Sequence, residues 1–331
     1  RVKGYGSCSY EERSYCYDCT LYSSQSRYSF DHSTRNKGCL GIGTNKLKCS
    51  NYSRGGICGR VRSFKKAISS ILLSDTDEME YLVIGPGAMG GFSMLGYLKT
   101  IEPSLVNVKE YSGASAGAIL ILFLALGFDI DQIVKKLADL EGNKLVKLNL
   151  KCFMNKYGLV DLKPIREKFV ELFESDLTFS DIEKKIYISA FCVNTSKTVY
   201  FSKDTHPDMK VIDALCMSIA IPFIFSSYRY DGMVYVDGGT LETLPTAPFL
   251  DKRPDKVLCI RMKMETEFIE DIKSPKQFAE ALISSTLNNR QTCELKNSKV
   301  VDIDIGQVDV FNFNMSYEEK MKLYLTGLES K

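Results

Sequence analysis

The segment at residues 81–91 reads YLVIGPGAMGG and joins a short apolar run to a loop rich in glycine. Four consecutive apolar residues that end at a glycine are typical of a buried strand, and the loop predicts a turn into a helix that runs to about Leu98. A second unit follows directly, with strand character at 105–111, a tight turn GASAG at 113–117 and an apolar helix at 118–126. Two successive units of strand, glycine turn and helix predict a mostly parallel α/β sheet with helices on its faces.

Hydrophobic periodicity predicts more helices and strands further along the chain, without an internal repeat. The predicted helices are at 131–140, 162–173, 211–219, 274–288 and 316–325, and the predicted strands are at 186–193, 198–201, 234–236 and 257–262. The sequence therefore predicts an α/β domain at 76–331.

Residues 1–75 differ in composition from this domain. They are rich in Ser, Tyr and Gly, and residues 1–66 hold 13 Lys or Arg against four Asp or Glu, a net charge of +9, whereas the rest of the chain carries −7. Such a segment buries too little apolar surface to offset the entropy lost on ordering, so a flexible, basic, cysteine-containing N-terminal arm is expected. Two alternatives stay open for its six cysteines, a zinc module built on Cys16 and Cys19 or a disulfide-stapled extension.

Composition narrows the possible classes of function. The 331 residues carry a net charge of +2, so nucleic acid is not expected as a partner. The longest apolar run, at 118–128, is shorter than the ~18 to 20 residues that span a bilayer, and the N-terminus has no signal-peptide core. An odd total of 11 cysteines favours a reducing compartment. We therefore expect an intracellular protein, cytoplasmic or peripherally bound to a membrane.

The turn around Ser115 has the pattern Gly-x-Ser-x-Gly between a predicted strand and a predicted helix. A nucleophile on such a sharp turn needs small neighbours, and here all four, from Gly113 to Gly117, are Gly or Ala. The helix N-terminus behind the serine offers free amides that can stabilise an oxyanion. The alternative is an ordinary serine in a glycine-rich turn.

The loop at 85–91 allows two interpretations. Its spacing Gly85-x-Gly87-x-x-Gly90 follows a strand, as in dinucleotide-binding proteins, and Glu110 could hold a ribose. That interpretation leaves the Ser115 turn unexplained. The alternative is an oxyanion hole, in which the glycines let backbone amides turn toward a developing negative charge.

The histidines argue against a Ser-His-Asp triad. The chain has only His32, in the arm, and His206, and no histidine follows the later acidic candidates as the α/β-hydrolase order requires. The best placed base is Asp237, which ends an apolar strand in the sequence YVDGG. An aspartate must be partly removed from water to accept a serine proton near neutral pH. An Asp-Gly-Gly turn without catalytic role is the alternative.

Three blocks together resemble the signature of the patatin-like phospholipases: GPGAMG at 85–90, GASAG at 113–117 and DGG at 237–239. Supporting stretches at 158–161, 177–181 and 218–225, and Pro245, also resemble that family. The resemblance covers about residues 81–328 and does not extend to the arm.

The resemblance implies a three-layer α/β/α fold with a central, mostly parallel sheet and a Ser-Asp dyad that needs neither histidine nor a metal or other cofactor. Ser115 would be the nucleophile and Asp237 the base, with Gly113 and Gly117 in the nucleophile turn and Gly238 and Gly239 in the loop after the aspartate. The oxyanion hole would be formed by Gly85, Gly87, Ala88, Met89 and Gly90. Two positions depart from the family, with Met89 in place of a usual Arg or Lys and Thr243 in place of a usual Asn.

The function implied is hydrolysis of fatty acyl esters of glycerophospholipids or other acyl lipids through an acyl-enzyme on Ser115. A catalytically weak member that binds lipid or protein is one alternative, and an acyltransferase or neutral-lipid lipase with the same dyad is another. An acyl channel would be lined by Met89, Phe92, Met94, Phe223, Ile224 and Phe225. The basic arm predicts contact with an anionic membrane surface.

Overall fold

The computed structural model describes residues 79–265, 269–274, 277, 278, 281, 282, 285 and 295–330. The arm at 1–75 lies outside these residues. The alternatives for its cysteines and its predicted membrane contact therefore also concern residues outside the described ranges. So does much of the predicted helix at 274–288, whose described residues from 277 onward are helical.

The described residues contain ten strands, eight of which form one sheet. They are β1 (Tyr81–Ile84), β2 (Glu110–Ala114), β3 (Gly158–Val160), β4 (Lys185–Cys192), β5 (Lys197–Phe201), β6 (Phe223–Phe225), β7 (Tyr228–Tyr230), β8 (Met233–Asp237), β9 (Val257–Lys263) and β10 (Lys299–Asp304). Strand pairing in the main sheet follows the path β10-β9-β1-β2-β4-β8-β7, and β5 also pairs with β4. Its first five strands are parallel neighbours, whereas β5, β7 and β8 are antiparallel additions. Strands β3 and β6 form a separate parallel pair.

Besides the helical residues from 277 onward, eight α-helices have both ends within the described part of the chain. They are α1 (Gly91–Thr100), α2 (Ala116–Ala125), α3 (Ile130–Ala138), α4 (Gly142–Leu145), α5 (Leu150–Lys156), α6 (Leu162–Phe173), α7 (Val211–Ser218) and α8 (Tyr317–Glu329). None of the helices described here is both long and apolar enough to cross a membrane.

Side-chain caps fix the start of four of these helices. Asp129 and Ser316 form capping boxes at α3 and α8, with Gln132 and Glu319 as the reciprocal partners. Asn149 and Asp161 accept hydrogen bonds from the first-turn amides of α5 and α6. These short polar side chains satisfy amides that have no partner inside the helix.

Strand β1 is buried on both faces. Leu82 and Ile84 belong to the larger apolar cluster, which includes residues of α1, α2 and α7, whereas Val83 points to a smaller cluster with Leu244 and Phe249. Burial on both faces explains the continuous apolar sequence of this strand. The predicted α/β fold with a mostly parallel sheet flanked by helices is confirmed.

One predicted strand is placed incorrectly. The sequence predicted a strand at 105–111, but Glu102–Asn107 form a 3-10 helix and β2 begins at Glu110. Pro103 favours a helical first turn, and Val106 is 77% exposed, so its apolar character does not mark a buried strand. Helix α2 also begins two residues earlier than predicted, directly after Ser115.

Candidate active site

Ser115 lies at the junction of β2 and α2 in an unusual backbone conformation. Its φ is 53° and its ψ is −123°, and the residue is 4% exposed. A non-glycine residue in such a sparsely populated region costs ~1–3 kcal/mol, so the surrounding structure must hold it there. The turn directs the chain from the end of the strand straight into the helix, as a nucleophile turn requires.

The glycines on either side of Ser115 are required by close backbone contacts. A Cβ atom on Gly117 would lie 2.2 Å from the carbonyl oxygen of Ile84 in β1, and one on Gly113 would lie 2.8 Å from the carbonyl of Gly117. Backbone atoms cannot move aside as a flexible side chain can. Larger residues at these two positions would therefore push α2 away from β1 and β2.

Asp237 is brought beside Ser115 by the shared neighbour β4. Ala114, the last residue of β2, pairs with Ser189, and Asp237, the last residue of β8, pairs with Ala190. Strand β5 occupies the opposite edge of β4 over these residues, so β2 and β8 lie along one edge and meet end to end. Consecutive strand residues are ~3.3 Å apart, so the backbones of Ala114 and Asp237 are neighbours.

The Asp237 carboxylate is buried and oriented by its own loop. The residue is 4% exposed, its Oδ1 accepts a hydrogen bond of 2.7 Å from the amide of Gly239, and its amide donates to the carbonyl of Ala220 at 2.9 Å. A Cβ on Gly238 would lie 2.2 Å from the carbonyl oxygen of Ser189, so the loop packs directly on β4. The carboxylate is therefore removed from bulk water and held in one orientation by the Gly239 amide.

A second serine, which the sequence analysis did not single out, supports the nucleophile turn. The amide of Ser115 donates a hydrogen bond of 2.9 Å to Oγ of Ser218, the last residue of α7. Ser218 is fully buried. The only sequence signal for it was its place at the start of the stretch at 218–225.

The glycine loop offers fewer free amides than its sequence suggests. The amide of Gly85 donates to the Ile260 carbonyl at 2.9 Å, that of Met89 to the Val310 carbonyl at 3.1 Å, and that of Gly90 to the Gly87 carbonyl at 2.8 Å. The amides of Gly87 and Ala88 make no hydrogen bond to the described residues. Ala88 has a φ of 44°, so the loop holds a non-glycine residue in a left-handed conformation at this point. Within this loop, the amides of Gly87 and Ala88 therefore remain as the candidate donors of an oxyanion hole.

Two cavities meet at Ser115. The wide cavity, of about 340 Å³, is lined by Gly87, Ala88, Ser115 and Asp237 together with Thr243 and Phe223. The narrow cavity, of about 180 Å³, runs from Ser115 between helices and has almost entirely apolar walls. Ala88, Ser115 and Ile221 border both cavities.

The predicted acyl-channel residues divide between these cavities. Met89, Phe92 and Phe225 line the narrow cavity and Phe223 lines the wide one. Met94 is fully buried beneath the glycine loop and Ile224 is among the partly buried residues at the core, and neither residue lines either of these two cavities.

Two other groups that could act as a nucleophile or a base lie outside both cavities. His206 contacts Thr205 and Phe201, lines neither cavity, and has a pKa lowered by burial. The buried Cys216 thiol lines neither cavity, and burial raises its pKa to about 12. No group of three or more His, Cys, Asp or Glu side chains within the described ranges is arranged to hold a metal ion.

A comparison with family models shows which family the chain belongs to. A model described as Patatin-like phospholipase matches residues 82–250, a range that contains Ser115, Asp237 and the glycine loop. The chain belongs to the patatin-like phospholipase family. The predicted family is therefore confirmed.

Proteins of similar sequence include two whose names describe a probable lipid hydrolase and a phospholipase. An uncharacterised protein of Acanthamoeba polyphaga mimivirus is 26% identical in an alignment of length 275 that covers 76% of this chain and 92% of that protein. A protein named as a probable lipid hydrolase of Invertebrate iridescent virus 6 is 28% identical over 50% of this chain and 61% of its own length. A cGAMP-activated phospholipase of Escherichia coli is 24% identical over 54% of this chain and 57% of its own length. The chain thus spans about three fifths of each of these last two proteins.

The crystal structure of VipD from Legionella pneumophila has the same fold. It superposes with a TM-score of 0.51 at 19% identity, covering 76% of this chain and 66% of that one. At this identity, the likeness concerns the patatin-like fold alone.

Proposed function

We propose that this chain is a phospholipase A-type lipid acyl hydrolase that cleaves fatty acyl esters of glycerophospholipids, with Ser115 as nucleophile and Asp237 as base. The observation that carries the proposal is the meeting of β2 and β8 along one edge of β4. This meeting supports the proposal because Ser115, with its strained backbone, and the buried Asp237 both line the wide cavity. The lipid hydrolases among the relatives support the choice of substrate class.

In the first half-reaction, Ser115 Oγ attacks the ester carbonyl carbon and its proton passes to the Asp237 carboxylate. The negative charge that develops on the carbonyl oxygen is stabilised by the amides of Gly87 and Ala88 and by the N-terminus of α2. The ester C–O bond then breaks, and the leaving lysolipid oxygen takes the proton from Asp237. In the second half-reaction, water attacks the acyl-enzyme with Asp237 again as base, which releases the fatty acid and restores Ser115.

The two cavities divide the substrate between them. The narrow cavity accepts the acyl chain, because its walls are apolar side chains such as Phe92, Leu145 and Phe169. The wide cavity, which holds Asp237 at its wall, accepts the glycerol and head-group part that leaves. In this arrangement the base lies on the side of the leaving oxygen that it must protonate.

Product analysis tests the dyad. Mixed liposomes of labelled phospholipids are incubated with wild type, Ser115→Ala and Asp237→Asn, and fatty acid and lysolipid are followed by mass spectrometry. Each variant is expected to lose about 1,000-fold or more in rate, since both groups act in the same proton transfer. The matched controls Ser180→Ala and Asp255→Asn change exposed residues outside both cavities and should keep wild-type rates. Hydrolysis that survives in Ser115→Ala would overturn the proposal.

Reactions of the same wild-type and variant proteins distinguish the alternative functions that the family resemblance left open. A catalytically weak member would fail to react with a fluorophosphonate probe at Ser115. Against this alternative, the Met89 amide is bound to Val310 and is not one of the two candidate oxyanion donors, so the unusual side chain removes no donor. An acyltransferase would transfer the acyl group to an added alcohol rather than to water, and a neutral-lipid lipase would prefer triacylglycerol to phospholipid.

A further inference from the structure

A cluster of apolar side chains is exposed on the segment 147–157, which contains α5. Leu148, Leu150 and Met154 are 76–77% exposed, Tyr157 is 56% exposed and Phe153 is 39% exposed. Single exposed apolar residues are normal on a protein surface, but five within ten residues form a patch of the kind that marks an interaction site. We propose that this segment, called here the docking segment, inserts into an anionic lipid surface and holds the mouth of the catalytic cavities against it.

The charges around the patch favour a lipid surface that is negative. Lys147 and Lys151 alternate with the exposed apolar residues, and both are exposed. Lys156 completes the basic set at the end of α5, where it pairs with Asp161 outside the segment. The docking segment itself contains no Asp or Glu. Lysine beside apolar side chains is the composition of an element that lies in a membrane interface, with ammonium groups at the head groups and apolar groups below them.

The docking segment is held in a defined shape. Asn149 Oδ1 accepts hydrogen bonds from the amides of Lys151 and Cys152 at the start of α5, and the Asn149 amide donates to the Leu159 carbonyl at 2.6 Å. Cys152 is the buried residue of α5 and anchors its inner face. The apolar side chains are therefore presented outward by a fixed backbone whose polar groups are largely satisfied within the protein.

The docking segment is continuous with both cavities. Just before it, Leu145 and Val146 line the narrow cavity. Just after it, Gly158 pairs with Phe223, which lines the wide cavity and is 49% exposed. A lipid surface that covers the segment thus lies at the entrance through which an acyl chain reaches Ser115. In its choice of a lipid surface, the inference rests on the proposed function.

A tryptophan reporter tests the inference directly, because the chain contains no Trp. Single variants Leu150→Trp and Met154→Trp are made in the full chain with Ser115→Ala, so that lipid is not consumed. Val106→Trp is the matched control, since Val106 is as exposed as Leu150 and lies elsewhere, in the 3-10 helix at Glu102–Asn107. The probe is a vesicle of equimolar phosphatidylcholine and phosphatidylglycerol, with and without acyl-chain bromination.

With anionic vesicles, emission of both segment reporters should shift to the blue and be quenched by brominated lipid, while the Val106→Trp control changes little. Unchanged segment reporters, or equal quenching of all three, would overturn the proposal even where the arm holds the protein on the vesicle. A blue shift that appears without lipid as protein concentration rises would indicate a second copy of this chain on the patch and would also overturn it.

A second measurement separates this inference from the proposed function. In wild-type background, Leu150→Asp combined with Met154→Asp should reduce vesicle hydrolysis at least tenfold and leave hydrolysis of a dissolved short-chain ester unchanged. Lys147→Glu with Lys151→Glu should act similarly on anionic vesicles, whereas the matched pair Lys135→Glu with Lys296→Glu should not. Equal losses on dissolved ester and vesicles would contradict a docking role. Failure of wild type to cleave either substrate would instead count against the proposed function, and the reporters would still decide docking.

Discussion

The backbone strain at Ser115 predicts how replacing this serine by glycine or by alanine changes the stability of the fold. Glycine adopts the observed φ of 53° without the Cβ clash that serine and alanine suffer. Relief of ~1–3 kcal/mol of strain outweighs the ~0.5–1 kcal/mol that glycine loses through unfolded-state entropy. Ser115→Gly should therefore be about 1 kcal/mol more stable than Ser115→Ala, although the proposed function predicts that neither variant is active. Chemical denaturation measures the difference, with Ala125→Gly in α2 as a control that should destabilise. Equal stability of the two Ser115 variants would show that the turn is not strained.

Ser218 is expected to position the nucleophile without touching the substrate. Ser218→Ala leaves the buried Ser115 amide without its acceptor, which costs ~1–3 kcal/mol and loosens the turn. We expect kcat for a dissolved ester to fall about tenfold, as ~1.4 kcal/mol of lost transition-state stabilisation would produce, with little change in KM.

A matched control exists for Ser218. The buried Ser226 hydroxyl accepts a hydrogen bond of 3.1 Å from the Leu162 amide, outside both cavities. Ser226→Ala should lose similar stability and keep kcat. If the two variants changed kcat alike, the effect of Ser218 would be general loosening of the fold.

Helices α1 and α8 cross at two glycines, and this crossing supports the glycine loop that α1 follows. A Cβ on Gly327 would lie 1.8 Å from the Ser93 carbonyl oxygen, and one on Gly96 would lie 1.9 Å from the Tyr324 carbonyl oxygen. Gly327→Ala should cost more than ~2 kcal/mol of unfolding free energy, since backbone must move, and should also reduce activity by displacing α1. Leu325→Ala on the exposed face of α8 should stay within ~0.5 kcal/mol of wild type in the same denaturation assay. A small loss for Gly327→Ala would mean that the two helices separate easily.

Lys320 of α8 predicts a pH dependence of stability. Its Nζ donates to the carbonyls of Ala138, the last residue of α3, and of Leu140 just after it, and burial lowers its pKa below the ordinary 10.5. Between the lowered pKa and 10.5 the unfolded chain binds more protons, so this residue makes stability rise with pH in that window. Lys320→Met should remove that rise. The measurement is the difference in unfolding free energy between wild type and variant as pH is raised toward 10.5. Taking the difference cancels the effect of the tyrosines, which act in the opposite direction at higher pH. Tyr111 is one of them, since burial raises its pKa to about 12. A constant difference would contradict the prediction.

The elements that sequence predicted best are those whose whole length is buried. Strand β1 and helix α2 are nearly uniformly apolar because neighbours cover them on every side, so their patterns were clear. Residues 142–156 gave no prediction, since α4 and α5 are only four and seven residues long and the apolar side chains of α5 are mostly exposed instead of facing the core. Strands β3 and β6 are three residues each and pair with one another across about 65 positions of sequence, which no local pattern reveals.

The candidate site was predicted in its residue types but not in its hydrogen bonds. Gly113, Ser115, Gly117 and Asp237 carry their chemistry in their own short segments. The reduction of the oxyanion donors to Gly87 and Ala88 depends on carbonyls at Ile260 and Val310, which belong to distant parts of the chain. Those partners become neighbours of the loop only when β9 has joined β1 in the sheet, so the loop sequence alone could not exclude Gly85, Met89 and Gly90.

In the whole molecule, the sheet brings Ser115 and Asp237 to one cavity, although they are about 120 positions apart in sequence. If Ser115 and Asp237 act in the same proton transfer, removing the second of them after the first costs nothing further. The double variant Ser115→Ala with Asp237→Asn should therefore retain the same residual ester hydrolysis as either single variant, well above the product of the two separate losses. Rates measured for the two single variants and the double variant at equal protein concentration, with folding checked by circular dichroism, complete the cycle. Additive losses would mean that Asp237 contributes through a step that does not involve Ser115, such as maintenance of the loop at Gly238 and Gly239, and would leave the serine without its proposed base.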